Sequence, residues 1–121
     1  MERKKILVVD DEEGIRFLLE EELCSECDIS CCANGIDALE EFNKSQPDLV
    51  ITDFKMPEMN GSELIQEIKD INSQIPVIML TGSPSFPKSR ADETLSKSPF
   101  LGTLNTSINR FIGTSFPTNP P

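Results

Sequence analysis

The chain has 121 residues, enough for one domain around a single core and too few for two. Eleven Lys and Arg against 21 Asp and Glu give a formal net charge of −10, which argues against direct nucleic-acid binding, because that rests on neutralising phosphates with cations. Histidine, Tyr and Trp are absent, so a His nucleophile, base or metal ligand within this chain is excluded.

In chain order, Ile6 to Val9 is a short apolar run without polar alternation, the pattern of a strand buried on both faces of a parallel sheet. Ile15, Leu18, Leu19 and Leu23 recur at near-helical spacing, with Glu20, Glu21 and Glu22 on the wet side. A strand is predicted over 28–32. Asn34-Gly35 marks a turn, and Ile36, Ala38, Leu39 and Phe42 support a second helix. Leu49 to Thr52 reads as another strand. The loop Met56-Pro57-Glu58-Met59-Asn60-Gly61 follows, with Gly61 free to take a positive φ. Leu64, Ile65, Ile68 and Ile71 predict a third helix, and 76–80 a strand ending in Thr81-Gly82. A short strand is predicted over 94–96, and Leu101, Leu104, Ile108, Phe111 and Ile112 form the stripe of a last helix.

Alternating strands and helices imply βαβ units and a parallel sheet with helices on both faces. The interval 82–93 should hold a crossover helix, yet Pro84 and Pro87 restrict it and an apolar stripe is missing. That helix is expected to be shortened, irregular or absent. Residues 114–121 have little to bury and are expected to form a flexible C-terminal tail after a domain spanning 1–113.

Four cysteines, Cys24, Cys27, Cys31 and Cys32, allow a zinc or redox reading. The alternative is reduced thiols in and around the core. The four apolar residues after Lys5 are too few for a signal peptide, and no stretch approaches a membrane span. A cytoplasmic setting is expected, where thiols stay reduced.

Asp10 and Asp11 end the first strand, Asp53 ends the third and Lys97 follows the last. In an open parallel sheet, ligands bind beyond the carboxyl ends of the strands. Three carboxylates gathered there call for a shared cation, and a hard metal ion with a phosphoryl group suits them. Asp10 and Asp11 alone could equally cap the next helix, Asp53 could serve a turn, and Thr81 and Lys97 are unremarkable by themselves. Lys88 rivals Lys97, but follows Thr81 too closely to return from another crossover.

The ordered set Lys5-Ile-Leu-Val-Val-Asp-Asp11, Asp48-Leu-Val-Ile-Thr-Asp53-Phe-Lys-Met-Pro57, Thr81-Gly82 and Lys97 resembles the receiver domain of bacterial response regulators, the phosphoacceptors of two-component signalling. The resemblance spans about residues 4 to 112. It implies an α/β, flavodoxin-like, doubly wound sheet of five parallel strands in the order 2-1-3-4-5. It also implies that Asp53 takes a phosphoryl group from a phosphohistidine on a sensor histidine kinase or phosphotransfer protein. Asp10, Asp11, Asp53 and the backbone carbonyl of Lys55 would hold Mg²⁺. Thr81 and Lys97 would bind phosphoryl oxygens. The product would be a switch for a downstream protein partner, possible homodimerisation included, rather than an enzyme acting on external substrates.

Three departures from the family stand out. Thr81 and Lys97 are only 16 positions apart, several fewer than usual. Thr94 stands where receivers often carry an aromatic residue that reports phosphorylation to the surface. Ser98 intervenes between Lys97 and Pro99, where the family has Lys-Pro with a cis bond; here any cis bond would be Ser98–Pro99. These features motivate a competing reading, a pseudo-receiver that binds partners without a phosphorylation cycle. A phosphatase or mutase with an aspartyl phosphate is disfavoured, because such enzymes place a second Asp where this chain has Lys55. With no output domain after residue 112, a stand-alone receiver is expected.

Overall fold

The computed structural model describes residues 3–82, 88–97 and 101–118. Its elements run β1 (Lys4–Val9), α1 (Glu13–Leu23), β2 (Cys27–Cys32), α2 (Gly35–Ser45), β3 (Leu49–Asp53), α3 (Gly61–Ile71), β4 (Val77–Thr81), β5 (Glu93–Ser96) and α4 (Leu101–Ile112). All four strand pairings are parallel, in the order β2-β1-β3-β4-β5. This is the expected architecture. Among the described residues the chain passes from β4 to β5 without a helix. Residues 83–87, with Pro84 and Pro87, lie outside the described ones, as does the Ser98–Pro99 bond.

Side chains alternate across the sheet, as the two-residue period of a strand demands. Ile6 and Val8 of β1, Leu49 and Ile51 of β3 and Ile78 and Leu80 of β4 face Leu19, Leu23, Leu104 and Ile108 of α1 and α4. Leu7, Val9, Val50, Val77 and Met79 face Ala38 and Phe42 of α2 and Leu64, Ile65 and Ile68 of α3. Burial on both faces explains why these strands read as unbroken apolar runs. α3 starts on a capping box, with Asn60 accepting from the Glu63 N–H and Glu63 accepting from the Asn60 N–H. Asn34 belongs to a helix start too: its side chain accepts from the Asp37 N–H at 2.8 Å.

Several details differ from the sequence reading. Ile36 and Ile71 are about half exposed and Leu18 more than a third. Ile36 lies two residues, or roughly 200°, around α2 from buried Ala38. Ile71 is the last residue of α3. Gly61 does not have a positive φ; a Cβ there would lie 2.3 Å from the Asp53 carbonyl oxygen, so close approach is what requires glycine. Residues 114–118, expected in the tail, dock on α4. Phe116 is buried in the α1/α4 core, and Asn109 brackets its backbone with two hydrogen bonds of 2.9 Å. A single aromatic among Thr, Ser and Pro gave no periodic signal of this anchor.

Candidate functional site

The fold delivers the sequence-predicted residues to one end of the sheet. Val9 pairs with Thr52, so the next residues along, Asp10 and Asp53, stand side by side at the ends of β1 and β3. Thr81 ends β4 opposite Ser96, and Lys97 follows directly, its N–H donating to the Thr81 carbonyl at 3.0 Å. The strand order reverses between β1 and β3, the position where open α/β sheets form their binding crevice.

Lys97 is the hub. Its Nζ lies 3.0 Å from Asp10 Oδ2, 3.2 Å from Asp53 Oδ1 and 3.1 Å from Glu12 Oε1, so all three ammonium protons have carboxylate partners. Asp10 and Asp53 are buried, while Asp11 and Glu12 are exposed. The second oxygen of Asp10 accepts from the Glu12 N–H at 2.9 Å, so Asp10 orders the entry to α1 as well as binding Lys97. Asp10 does not cap α1: the N-cap position is Glu12, with no side-chain capping bond, and the bond Asp10 accepts comes from the residue before the first turn.

Burial pushes the Asp53 carboxyl above its ordinary range. The neighbouring Asp10 charge pushes the same way, and Lys97 offsets part of both. For Lys97, burial favours the neutral amine, but hydrogen bonds to Asp10 and Glu12 and the surrounding negative charge outweigh it and raise its pKa. Lys97 is accordingly a fixed cation at neutral pH.

One carboxylate oxygen from each of Asp10, Asp11, Glu12 and Asp53 lies within 4.8 Å of the others. Hard oxygen donors at that spacing fit a small divalent cation. Asp11, Glu12 and Asp53 border an open cavity of about 660 Å³, also lined by Lys55, Thr81 and Lys97. Glu12 is the residue the sequence reading missed. It stands at the N-cap of α1, where an acid is expected to favour the helix dipole, but its side chain makes no capping bond and reaches across to Lys97. Its adjacency to Asp10-Asp11 was the available signal. Lys88 lies elsewhere, over α3, where its carbonyl accepts from Ser62 Oγ. Among the described residues the cysteines contribute nothing to this cluster. Cys27 is buried, Cys32 half-buried, and Cys24 and Cys31 exposed, all with free thiols.

The chain matches the response regulator receiver domain over residues 6–98. It belongs to that family. Sporulation initiation phosphotransferase F of Bacillus subtilis is 44% identical over 82 residues, which cover 67% of this chain and 66% of that protein. Against several other curated relatives, the match spans only about a third of their length. Among solved structures, the Thermotoga maritima response regulator TrrA bound to Mg²⁺ and BeF superposes with a TM-score of 0.84 at 36% identity, covering 90% of this chain and 99% of that one. TrrA in complex with the histidine kinase ThkA gives 0.82, again at 36% identity, with 90% and 98% covered. This receiver has an apolar cluster on each face of its sheet and a carboxylate cluster at the carboxyl end of the strands. Among the described residues, no helix is long and apolar enough to cross a membrane.

Proposed function

We propose that this receiver accepts a phosphoryl group on Asp53 and thereby changes its affinity for a protein partner in two-component signalling. The observation that carries the proposal is the 3.2 Å approach of the Lys97 ammonium to Asp53, inside a cluster of three further carboxylates. The donor would be a phosphohistidine on a sensor kinase or phosphotransfer protein, as the structural likeness to TrrA bound to ThkA and the sequence likeness to a sporulation phosphotransferase suggest. An oxygen of Asp53 attacks phosphorus, the P–N bond breaks, and the imidazole leaves. Phosphoryl transfer needs positioning and cancellation of charge more than covalent help.

Asp10, Asp11, Asp53 and the Lys55 carbonyl would hold Mg²⁺, which when bound supplies that cancellation. Lys97 would pair with one phosphoryl oxygen and the Thr81 hydroxyl with another. Burial and the Asp10 charge raise the Asp53 pKa, and the Lys97 ammonium offsets part of that rise, favouring the carboxylate form that the transfer needs.

The pseudo-receiver reading draws on Thr94, half-buried in β5, and on the absence of a helix in the described residues between β4 and β5. Both features sit on the output side and leave the carboxylate cluster whole, so they bear on how the signal leaves. Incubation with acetyl phosphate and Mg²⁺, followed by intact mass, tests the proposal. One phosphoryl mass on the wild type, lost with a chelator and in Asp53→Asn, is expected. An unlabelled wild type, or equal labelling of the variant, would refute it.

A further inference from the structure

Lysine is seldom buried without a partner, yet Lys69 on α3 is only 7% exposed. Its Nζ donates to Asp92 Oδ2 at 2.7 Å, to the Ile75 carbonyl at 2.6 Å and to the Ser73 carbonyl at 3.4 Å, which uses all three protons. Asp92 Oδ2 also accepts from the Val77 N–H at 2.7 Å, and the Asp92 N–H donates to the Val77 carbonyl at 2.8 Å. Asp92 thus grips the first residue of β4 at both its polar groups, while α3 holds Asp92.

Asp92 is also the residue before β5. That strand has four residues, lies at the sheet edge and is half-buried at most positions. A short edge strand with little buried surface has a weakly specified register. Its register matters here, because Lys97 follows its last residue. A slip of one position would move Lys97 by about 3.3 Å and turn its side chain to the opposite face. Either change would break the 3.2 Å approach to Asp53. A crossover helix packed on the sheet would ordinarily fix the start of such a strand. Described residues 88–92 contain none. Two other ties run from this segment to α3, Arg90 to Asp70 at 3.0 Å and Ser62 Oγ to the Lys88 carbonyl. The Arg90–Asp70 pair is exposed on both sides and constrains little.

We propose that the Lys69–Asp92 pair pins the register of β5, and so positions Lys97 for phosphoryl binding. The inference rests on the function proposed above for Lys97. Lys69 and Asp92 are positioning residues; neither lines the phosphoryl cavity.

The test compares wild type, Asp92→Asn, Lys97→Ala and the double variant in acetyl phosphate labelling with Mg²⁺, each well below its melting temperature. Asp92→Asn is expected to slow labelling roughly 10-fold or more, as misplacement of a catalytic group by an ångström or more does. The double variant should be no slower than Lys97→Ala. Mg²⁺ affinity measured by calorimetry should not fall in Asp92→Asn, because the proposed carboxylate ligands lie at β1 and β3 and a displaced Lys97 competes with the metal less. Arg90→Ala, on the same segment, should label at the wild-type rate. If Asp92→Asn does not fold, Lys69→Gln takes its place with the same expectations.

Labelling of Asp92→Asn at the wild-type rate would overturn the inference. So would multiplicative losses in the double variant, a parallel fall in Mg²⁺ affinity, or wild-type labelling of Lys97→Ala. An unlabelled wild type would refute the proposed function alone. Hydrogen exchange then decides the pin: the Lys97 N–H, bonded to the Thr81 carbonyl, should lose protection in Asp92→Asn, and retained protection would overturn it.

Discussion

Gly61→Ala probes the tightest contact beneath the site. A Cβ at position 61 would lie 2.3 Å from the Asp53 carbonyl oxygen, 2.9 Å from Phe54 Cα and 3.1 Å from the Asp53 carbonyl carbon. Ordinary contact begins near 3.4 Å, so the start of α3 and the end of β3 would have to part by about 1 Å. All three obstacles are backbone atoms, so no side-chain rotation relieves the clash. The 2.7 Å hydrogen bond from the Gly61 N–H to the Phe54 carbonyl would be strained as well. Overpacking costs about 1–3 kcal/mol, and weakening the bond adds up to about 1 kcal/mol. Better helix propensity returns up to about 1 kcal/mol. The net loss is then about 1–3 kcal/mol, or roughly 4–12 °C in melting temperature for a domain of this size. Gly14→Ala is the control, since nothing lies within 4 Å of a Cβ there; it should be neutral or stabilising. Thermal unfolding followed by circular dichroism reads both variants. The reasoning fails if Gly61→Ala melts at or above the wild type, or if both substitutions behave alike.

Phe116→Ala should cost about 3 kcal/mol in urea unfolding, because it empties a buried aromatic site. Truncation after Gly113 should cost at least as much, and an unchanged midpoint would restore the view of 114–121 as a free tail. Glu12→Gln removes a competitor for Lys97 and one negative charge from the cavity, so labelling of Asp53 should rise by up to about fivefold, the limit set by an exposed ion pair. A fall comparable to that of Lys97→Ala would show that Glu12 assists instead. Burial, with Glu26 adding, pushes the Cys27 thiol up to about 11 from 9.0. Iodoacetamide at pH 8 should therefore spare Cys27 until the protein unfolds. Because the folded state holds this proton more tightly, Cys27 contributes stability that is present below about pH 9 and lost as pH rises through about 11. Alkylation of Cys27 as fast as exposed Cys24, or a stability flat across that window, would contradict this.

The parts of the fold legible from sequence were those where one physical rule acts locally. Leu49 to Asp53 is buried on both faces, and its composition says so without knowledge of its neighbours. Asp10 and Asp53 could be located because chain order puts them at strand ends once the sheet is assumed, whereas Thr81 and Lys97 stood out only as part of the ordered set that resembles receiver domains. What escaped depends on contacts between segments remote in sequence. Glu12 reads as a helix-start acid until Lys97, 85 positions away, is placed beside it. Lys69 carries no signal in the sequence, and its role emerges only when Asp92 is placed beside it in the fold. Gly61 has a backbone any residue could adopt, and only the approach of β3 excludes a side chain. Helix periodicity likewise overstated the core at Ile71, at the last position of α3.

The claim on which the functional account stands is that four distant segments make one anionic cup that a divalent cation completes for a phosphoryl group. Fluorine NMR of beryllofluoride, a phosphoryl mimic, tests it directly. The account predicts a protein-bound resonance that requires Mg²⁺, disappears in Asp53→Asn and weakens in Lys97→Ala. A bound resonance without any divalent cation, or one that survives in Asp53→Asn, would contradict it.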